Sequence, residues 1–106
     1  MPQMTKGKAV HIIVNATFER ELIKVLKEIG ATGYTQIDAR GFGYSGVQDG
    51  HSEGETNVLF IVLVTEEKAQ AIEKSLVGYI KRGYPIVSYI TDADVLMNNR
   101  YNKPAI

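Results

Sequence analysis

Two spacings of apolar residues alternate along the chain. Residues 8–15 carry Ala9, Val10, Ile12, Ile13 and Val14, a run rich in β-branched side chains that suits a central strand buried on both faces. From Thr17, read as an N-cap, Phe18, Leu22, Val25, Leu26 and Ile29 recur every three or four positions. That period predicts a one-sided helix with Gly30 as its stop, and Glu21, Lys24, Lys27 and Glu28 on its outer face. Alternation then predicts a second strand over 33–40, setting Tyr34, Gln36, Asp38 and Arg40 against Thr35, Ile37 and Ala39. Residues 57–65 form the third and most hydrophobic strand. Thr65 caps a second helix with Glu66 and Glu67 in its first turn, Ala69, Ile72, Leu76 and Ile80 facing inward, and Lys81, Arg82 and Gly83 at its end. A last strand is read over 84–91, where Pro85 is tolerated near the start or on an edge. Residues 1–7 read as a loose polar start, 92–97 as one further helical turn opened by Asp92 and Asp94, and 98–106 as a polar tail.

The resulting order, βαββαβ, predicts an α+β domain of ferredoxin-like arrangement spanning 1–106, with two helices on one face of an antiparallel sheet. Strands two and three form a hairpin joined by an unusually long connection, about 41–56. Five of the chain's 10 glycines, Gly41, Gly43, Gly46, Gly50 and Gly54, fall inside it. A glycine-rich connection of this length in a small domain points to function, because its backbone can approach a ligand closely. The third and last strands are too apolar for the helices of one copy to cover, so sheet faces are expected to be buried between copies.

Charge and composition narrow the chemistry. Twelve basic and 12 acidic residues cancel, so no field of one sign attracts nucleic acid or an anionic membrane. The absence of cysteine removes thiolate catalysis and thiolate metal sites. No apolar run approaches the roughly 20 residues that cross a bilayer, and the protein is expected to be cytoplasmic rather than membrane-embedded. His51 lies among Asp49, Glu53 and Glu55, but alternation within a loop fixes no coordination geometry, so no metal site is assigned. His11 reads as a hydrogen-bonded structural histidine, since no nucleophile motif surrounds it. Tyr34, Tyr79, Tyr84 and Tyr89 read as core or interface residues. No catalytic set emerges. Arg40, Gly41, Phe42, Gly43 and Tyr44 match the opening of an RNA-recognition octapeptide, which makes an RNA-binding module of ferredoxin-like fold the alternative reading. Ser45, Gly46, Val47 and Gln48 then break the required strand, and the neutral charge argues against phosphate contacts.

The stretch Lys27, Glu28, Ile29, Gly30, Ala31, Thr32, Gly33, Tyr34, Thr35, continued by Arg40, Gly41, Phe42 and Gly43, resembles the PII signal-transduction family over about residues 9–97. The resemblance implies a compact homotrimer, a long T-loop at about 41–56 and an adenine nucleotide in each cleft between subunits. The nucleotide-binding residues it implies are Thr35, Arg40, Gly41, Phe42, Gly43, Tyr44, Ser45, Arg82 and Val87. Backbone N–H groups of the paired glycines would meet anionic oxygen, and Thr35 would lie beside the base or ribose.

Departures from the nitrogen-sensing members define the expected subgroup. Their glycine- and lysine-rich loop before the last strand is replaced by Gly78, Tyr79, Ile80, Lys81, Arg82, Gly83, Tyr84 and Pro85, and their magnesium-ATP glutamine corresponds to Ser45. The shorter T-loop and the ending from Tyr84 to Leu96 are more similar to PII-like proteins associated with bicarbonate transport or carboxysomes. That likeness implies a non-enzymatic sensor of AMP or ADP, with ATP as a further candidate and bicarbonate as a second ligand. It requires no cofactor, and its partner would be a transporter or a carboxysome-related protein.

Overall fold

The computed structural model describes residues 3–31, 33–41 and 56–97. The strands and helices follow in the expected order: β1 (Gln3–Asn15), α1 (Glu19–Ile29), β2 (Thr35–Ala39), β3 (Asn57–Val64), α2 (Glu66–Lys81) and β4 (Val87–Met97). A 3-10 turn, Ala16–Phe18, joins β1 to α1. The sheet order is β2-β3-β1-β4, with every neighbouring pair antiparallel. This is the ferredoxin-like α+β arrangement.

Alternation sorts the strands into two faces. Val10, Ile12 and Val14 of β1 and Val58, Phe60, Val62 and Val64 of β3 point toward the helices and are buried. They meet Leu22 and Leu26 of α1, Ala69, Ile72 and Leu76 of α2, and Phe18 and Ile86 from the connections. Burying a side chain of this size stabilises the fold by about 1.5–3 kcal/mol, so one face of the sheet carries most of the core energy. Helix ends are fixed by local chemistry. Thr65 Oγ1 accepts from the Lys68 N–H at 3.2 Å, as its type predicts. Gly30 and Gly83 adopt φ of 96° and 97°, the left-handed conformation that stops a helix at little cost only for glycine. Lys68 Nζ donates to the Gly30 carbonyl at 2.9 Å and so ties α2 to the end of α1.

Several expectations are corrected. Residues 3–7 are strand, because they pair with 93–97 of β4 from Gln3 opposite Met97 to Gly7 opposite Ala93. For the same reason residues 92–97 are not a helical turn, and Asp92 and Asp94 do not open one. They face Lys8 and Lys6 across the ladder. Thr17 does not cap α1: it lies inside the 3-10 turn, which Asn15 caps by accepting from the Thr17 N–H at 2.9 Å, and Phe18 stands at the start of α1 without a side-chain cap. Ile80 is 44% exposed, because it lines an open groove between α2 and β4 with Val77, Ser88 and Ile90. β2 is shorter than 33–40, and its residues Thr35 to Asp38 are exposed on this outermost strand. β1 is central, but helices cover only one of its faces. The tail, 98–106, lies outside the described residues.

Candidate functional site

The antiparallel ladder brings four chain segments to one end of the sheet. β2 ends there at Ala39, opposite Asn57 where β3 begins, and Asn57 in turn faces Asn15 where β1 ends. Val87, the first residue of β4, pairs with Ile13 at the same end. Arg40 and Gly41 follow β2 directly and are exposed, and a Cβ added to Gly41 would meet nothing within 4 Å. The far root of the 41–56 connection is pinned where the Ala16 N–H donates to the Thr56 carbonyl at 2.9 Å. Both roots therefore rest on the rigid sheet. Thr35 lies lower on β2, opposite Ile61. Phe42, Gly43, Tyr44 and Ser45 lie outside the described residues, as do His51, Asp49, Glu53 and Glu55.

Of the remaining expected site residues, Val87 opens β4 at the opposite edge and Arg82 caps the end of α2, before the connection that leads there. β2 and β4 are separated by three strand spacings, roughly 14 Å. One copy of the chain thus brings Arg40, Gly41 and Val87 to one end of the sheet without bringing them into one cleft. Arg82 follows α2, with its guanidinium 4.6 Å from the Tyr79 ring centroid and 5.8 Å from that of Tyr84. Phe18 packs edge-on against Tyr79 at 5.0 Å and tilted against Tyr84 at 5.2 Å. Tyr79 Oη donates to Glu21 Oε2 at 2.6 Å. That hydrogen bond to a carboxylate, together with desolvation, raises the Tyr79 hydroxyl above the usual phenol range. An aromatic clamp, rather than a basic loop, therefore shapes the passage from α2 to β4. The tyrosines expected in a core or interface are part of the surface of the single chain: Tyr79 is half-buried, while Tyr34, Tyr84 and Tyr89 are exposed.

The sheet face away from the helices holds a second unusual set. Ile37, Leu59, Ile13 and Val87 form one cross-strand row, Thr35, Ile61, His11 and Tyr89 the next, and Leu63, Ala9 and Thr91 a third. Among the described residues no Asp, Glu, Lys or Arg stands on this face. The His11 and Tyr89 rings stack at 4.4 Å and 3°. His11 is not the hydrogen-bonded structural histidine expected: its Nδ1 is buried without a partner among the described residues, because the flanking Ile61 and the Tyr89 ring offer it none.

A cavity of about 380 Å³ lies at the other end of the sheet, lined by Lys6, Gly7, Lys8, Glu66, Asp92, Ala93 and Asp94. None of the expected site residues lines it. Lys8 Nζ donates to Asp92 Oδ1, and this contact raises the Lys8 ammonium and lowers the Asp92 carboxyl from their ordinary ranges. The pair is solvated, and Lys6 and Lys8 stand against Glu66, Asp92 and Asp94, so the lining carries no excess of positive charge to grip an anion. No group of side chains suited to a metal ion occurs among the described residues.

The family model described as Nitrogen regulatory protein P-II matches residues 7–100. The chain belongs to the P-II family. A PII-like signaling protein of Thermus thermophilus is 30% identical, with 88% of this chain and 92% of that one covered at a TM-score of 0.73. CPII of Thiomonas intermedia K12, solved with ADP, AMP and bicarbonate, is 22% identical over 88% of this chain and 91% of that chain, with a TM-score of 0.74. Its apo form gives a TM-score of 0.77 at 17% identity, covering 92% of this chain and 100% of that one. At these lower identities the CPII likeness is one of fold. No curated protein matches the sequence. Within the P-II family, the RNA-type motif has a structural answer too: β2 ends at Ala39, so Arg40 and Gly41 lie beyond the strand on which such a motif must sit.

Two features escaped the sequence reading. The aromatic clamp joins Phe18 to Tyr79 and Tyr84, 61 and 66 positions away, and no local period signals such a contact. The charge-free face was legible in the odd positions 9, 11 and 13, 59, 61 and 63, and 87, 89 and 91, once the register of the strands was known.

Proposed function

We propose that this member of the P-II family is a non-enzymatic regulatory sensor that binds AMP or ADP in clefts between the copies of a homotrimer. The observation that carries the reading is the placement of Arg40 and Gly41. They open the basic–Gly–Phe–Gly motif at the end of β2, at the root of the 41–56 connection, inside the family match. In this reading Thr35, Arg40, Gly41, Phe42, Gly43, Tyr44 and Ser45 would supply one side of the cleft. Arg82 and Val87, across the sheet, complete a wall only when a neighbouring copy closes the gap of roughly 14 Å. Tyr79 holds the Arg82 guanidinium by its face and the Gly78 carbonyl accepts from its Nε at 3.4 Å, so the terminal N–H groups would be the ones to meet anionic oxygen. ADP, AMP and bicarbonate in CPII make the same ligand classes the first to try, and a role in inorganic-carbon metabolism follows if bicarbonate binds.

Nucleotide binding would signal by favouring one conformation of the 41–56 connection, which requires unequal affinity for two loop states. A transporter or carboxysome-related protein in the cytoplasm would read that loop. Hydrogen exchange with and without ADP tests the link between ligand and loop. Slower exchange within 41–56 is expected, and unchanged exchange there at saturating ADP rules the coupling out.

A further inference from the structure

We infer that residues 98–106 dock on the outer edge of β4 as a short returning strand, with Tyr101 beside Leu96 and Lys103 beside Asp94. β4 is an outermost strand of 11 residues, and neither proline nor lysine interrupts it to block pairing. The ladder shows which of its backbone groups are free. The Ala16 N–H donates to the Thr56 carbonyl, and these two residues continue the register of β1 with β3 beyond Asn15 and Asn57. Hydrogen-bonded and open pairs alternate in an antiparallel ladder, so even residues of β1 bond to β3 and odd residues bond to β4. Odd residues of β4 therefore turn their N–H and C=O groups toward β1, and Ser88, Ile90, Asp92, Asp94 and Leu96 turn theirs outward.

Side chains on the far half of this edge are equally uncovered. Met4 and Leu96 stand opposite one another and, at 63% and 65%, are the most exposed large apolar side chains among the described residues. Asp94 is exposed and makes no ion pair among the described residues, whereas Asp92 holds Lys8. Residues 98–106 follow Met97 directly and open with Asn98 and Asn99, both turn formers. A two-residue turn does not fit, because the Met97 backbone faces β1. Hairpin loops of three, four or five residues would pair Leu96 with Arg100, Tyr101 or Asn102. Only the four-residue loop, 97–100, lets the strand run through Pro104, because in the other two Pro104 falls where an N–H must be donated to β4. Backbone geometry thus fixes the register before any side chain is considered. In that register the Tyr101 ring covers the apolar tip formed by Leu96 and Met4, and the Lys103 ammonium meets the Asp94 carboxylate. The returning strand closes the far half of the edge against pairing with other chains, and it stops short of Val87 and the cleft proposed above.

Disulfide formation in the full chain tests this cleanly, since the sequence has no cysteine of its own. Val95→Cys with Asn102→Cys leaves both contacts in place and sets the two Cα atoms at about 4.5 Å, within disulfide range. Val95→Cys with Ala105→Cys sets them roughly 10 Å apart and on opposite faces, beyond that range. With folding checked by circular dichroism, the disulfide of the first pair is expected to be at least tenfold more stable in a glutathione redox buffer than that of the second. Equal stabilities are the outcome for an undocked tail, whose two loops close with similar ease, and overturn the inference. A disulfide between chains, seen as a dimer on a denaturing gel without reductant, assigns the edge to another copy and also overturns it. Lys103→Glu and Tyr101→Ser, each added to the first pair, are expected to shrink its advantage at least threefold, and an advantage unmoved by either removes these two contacts.

Discussion

At the scale of single residues, Gly41 separates binding from folding. The space around its added Cβ is open among the described residues, so Gly41→Val meets no clash with the sheet or helices. A nucleotide approaching the backbone would meet the new side chain. Calorimetry with ADP is expected to show at least a tenfold loss of affinity, about 1.4 kcal/mol, with the unfolding midpoint unchanged. Undiminished affinity would remove Gly41 from the site. Tyr79 gives a prediction in pH. Its hydroxyl is raised by its hydrogen bond to Glu21, so the stabilisation is complete below the ordinary phenol value of about 10 and is lost as pH rises through the raised value. The stability difference between wild type and Tyr79→Phe is expected to be constant from pH 7 to about pH 10 and to shrink above it. A difference that grows in that alkaline range would contradict the contact.

At the scale of elements, the ribbon formed by residues 3–7 and 93–97 shows what a sequence hides. The core strands were legible because residues 9–14 and 58–64 are apolar runs rich in β-branched side chains, whereas which of them face the helices, Val10, Ile12 and Val14 and Val58, Phe60, Val62 and Val64, was not. The helices were legible because Leu22, Val25, Leu26, Ile72 and Leu76 recur with the helical period and Thr65, Gly30 and Gly83 mark the ends. The ribbon has no such local signature. Lys6 and Lys8 look like a solvated start and Asp92 and Asp94 like a helix start, until pairing across more than 80 positions sets them opposite one another. The candidate site was legible only in its motif at Arg40 and Gly41, since a motif fixes backbone chemistry but not the distance to Arg82. Gly7 tests the ribbon's junction with the sheet. A Cβ there would lie 2.9 Å from the Val64 carbonyl oxygen, a backbone atom that cannot step aside without moving β3. Gly7→Ala is expected to lower unfolding stability by about 1–3 kcal/mol in denaturant titration. A neutral result would show that the two strands separate freely at that point.

At the scale of the whole molecule, the chain presents one face sealed by helices and one face that is apolar and open, with its candidate ligand residues divided between opposite edges. The proposed association would resolve both properties, by covering the open face and bringing an edge of one copy to another. The phosphate end of such a cleft is modest. Among the described residues Arg40 and Arg82 are the candidate cations for it, and Lys8, which a basic site would recruit, is already engaged by Asp92 at the other end of the sheet. A triphosphate brings charge that these groups do not balance, and unbalanced charge is costly in a partly buried cleft. The most direct measurement is therefore calorimetric titration of the assembled protein with AMP, ADP and ATP, the last with and without magnesium. The account predicts saturable binding of AMP or ADP at least as tight as that of ATP. No binding of any adenine nucleotide, or ATP held more than tenfold tighter than ADP, would contradict it.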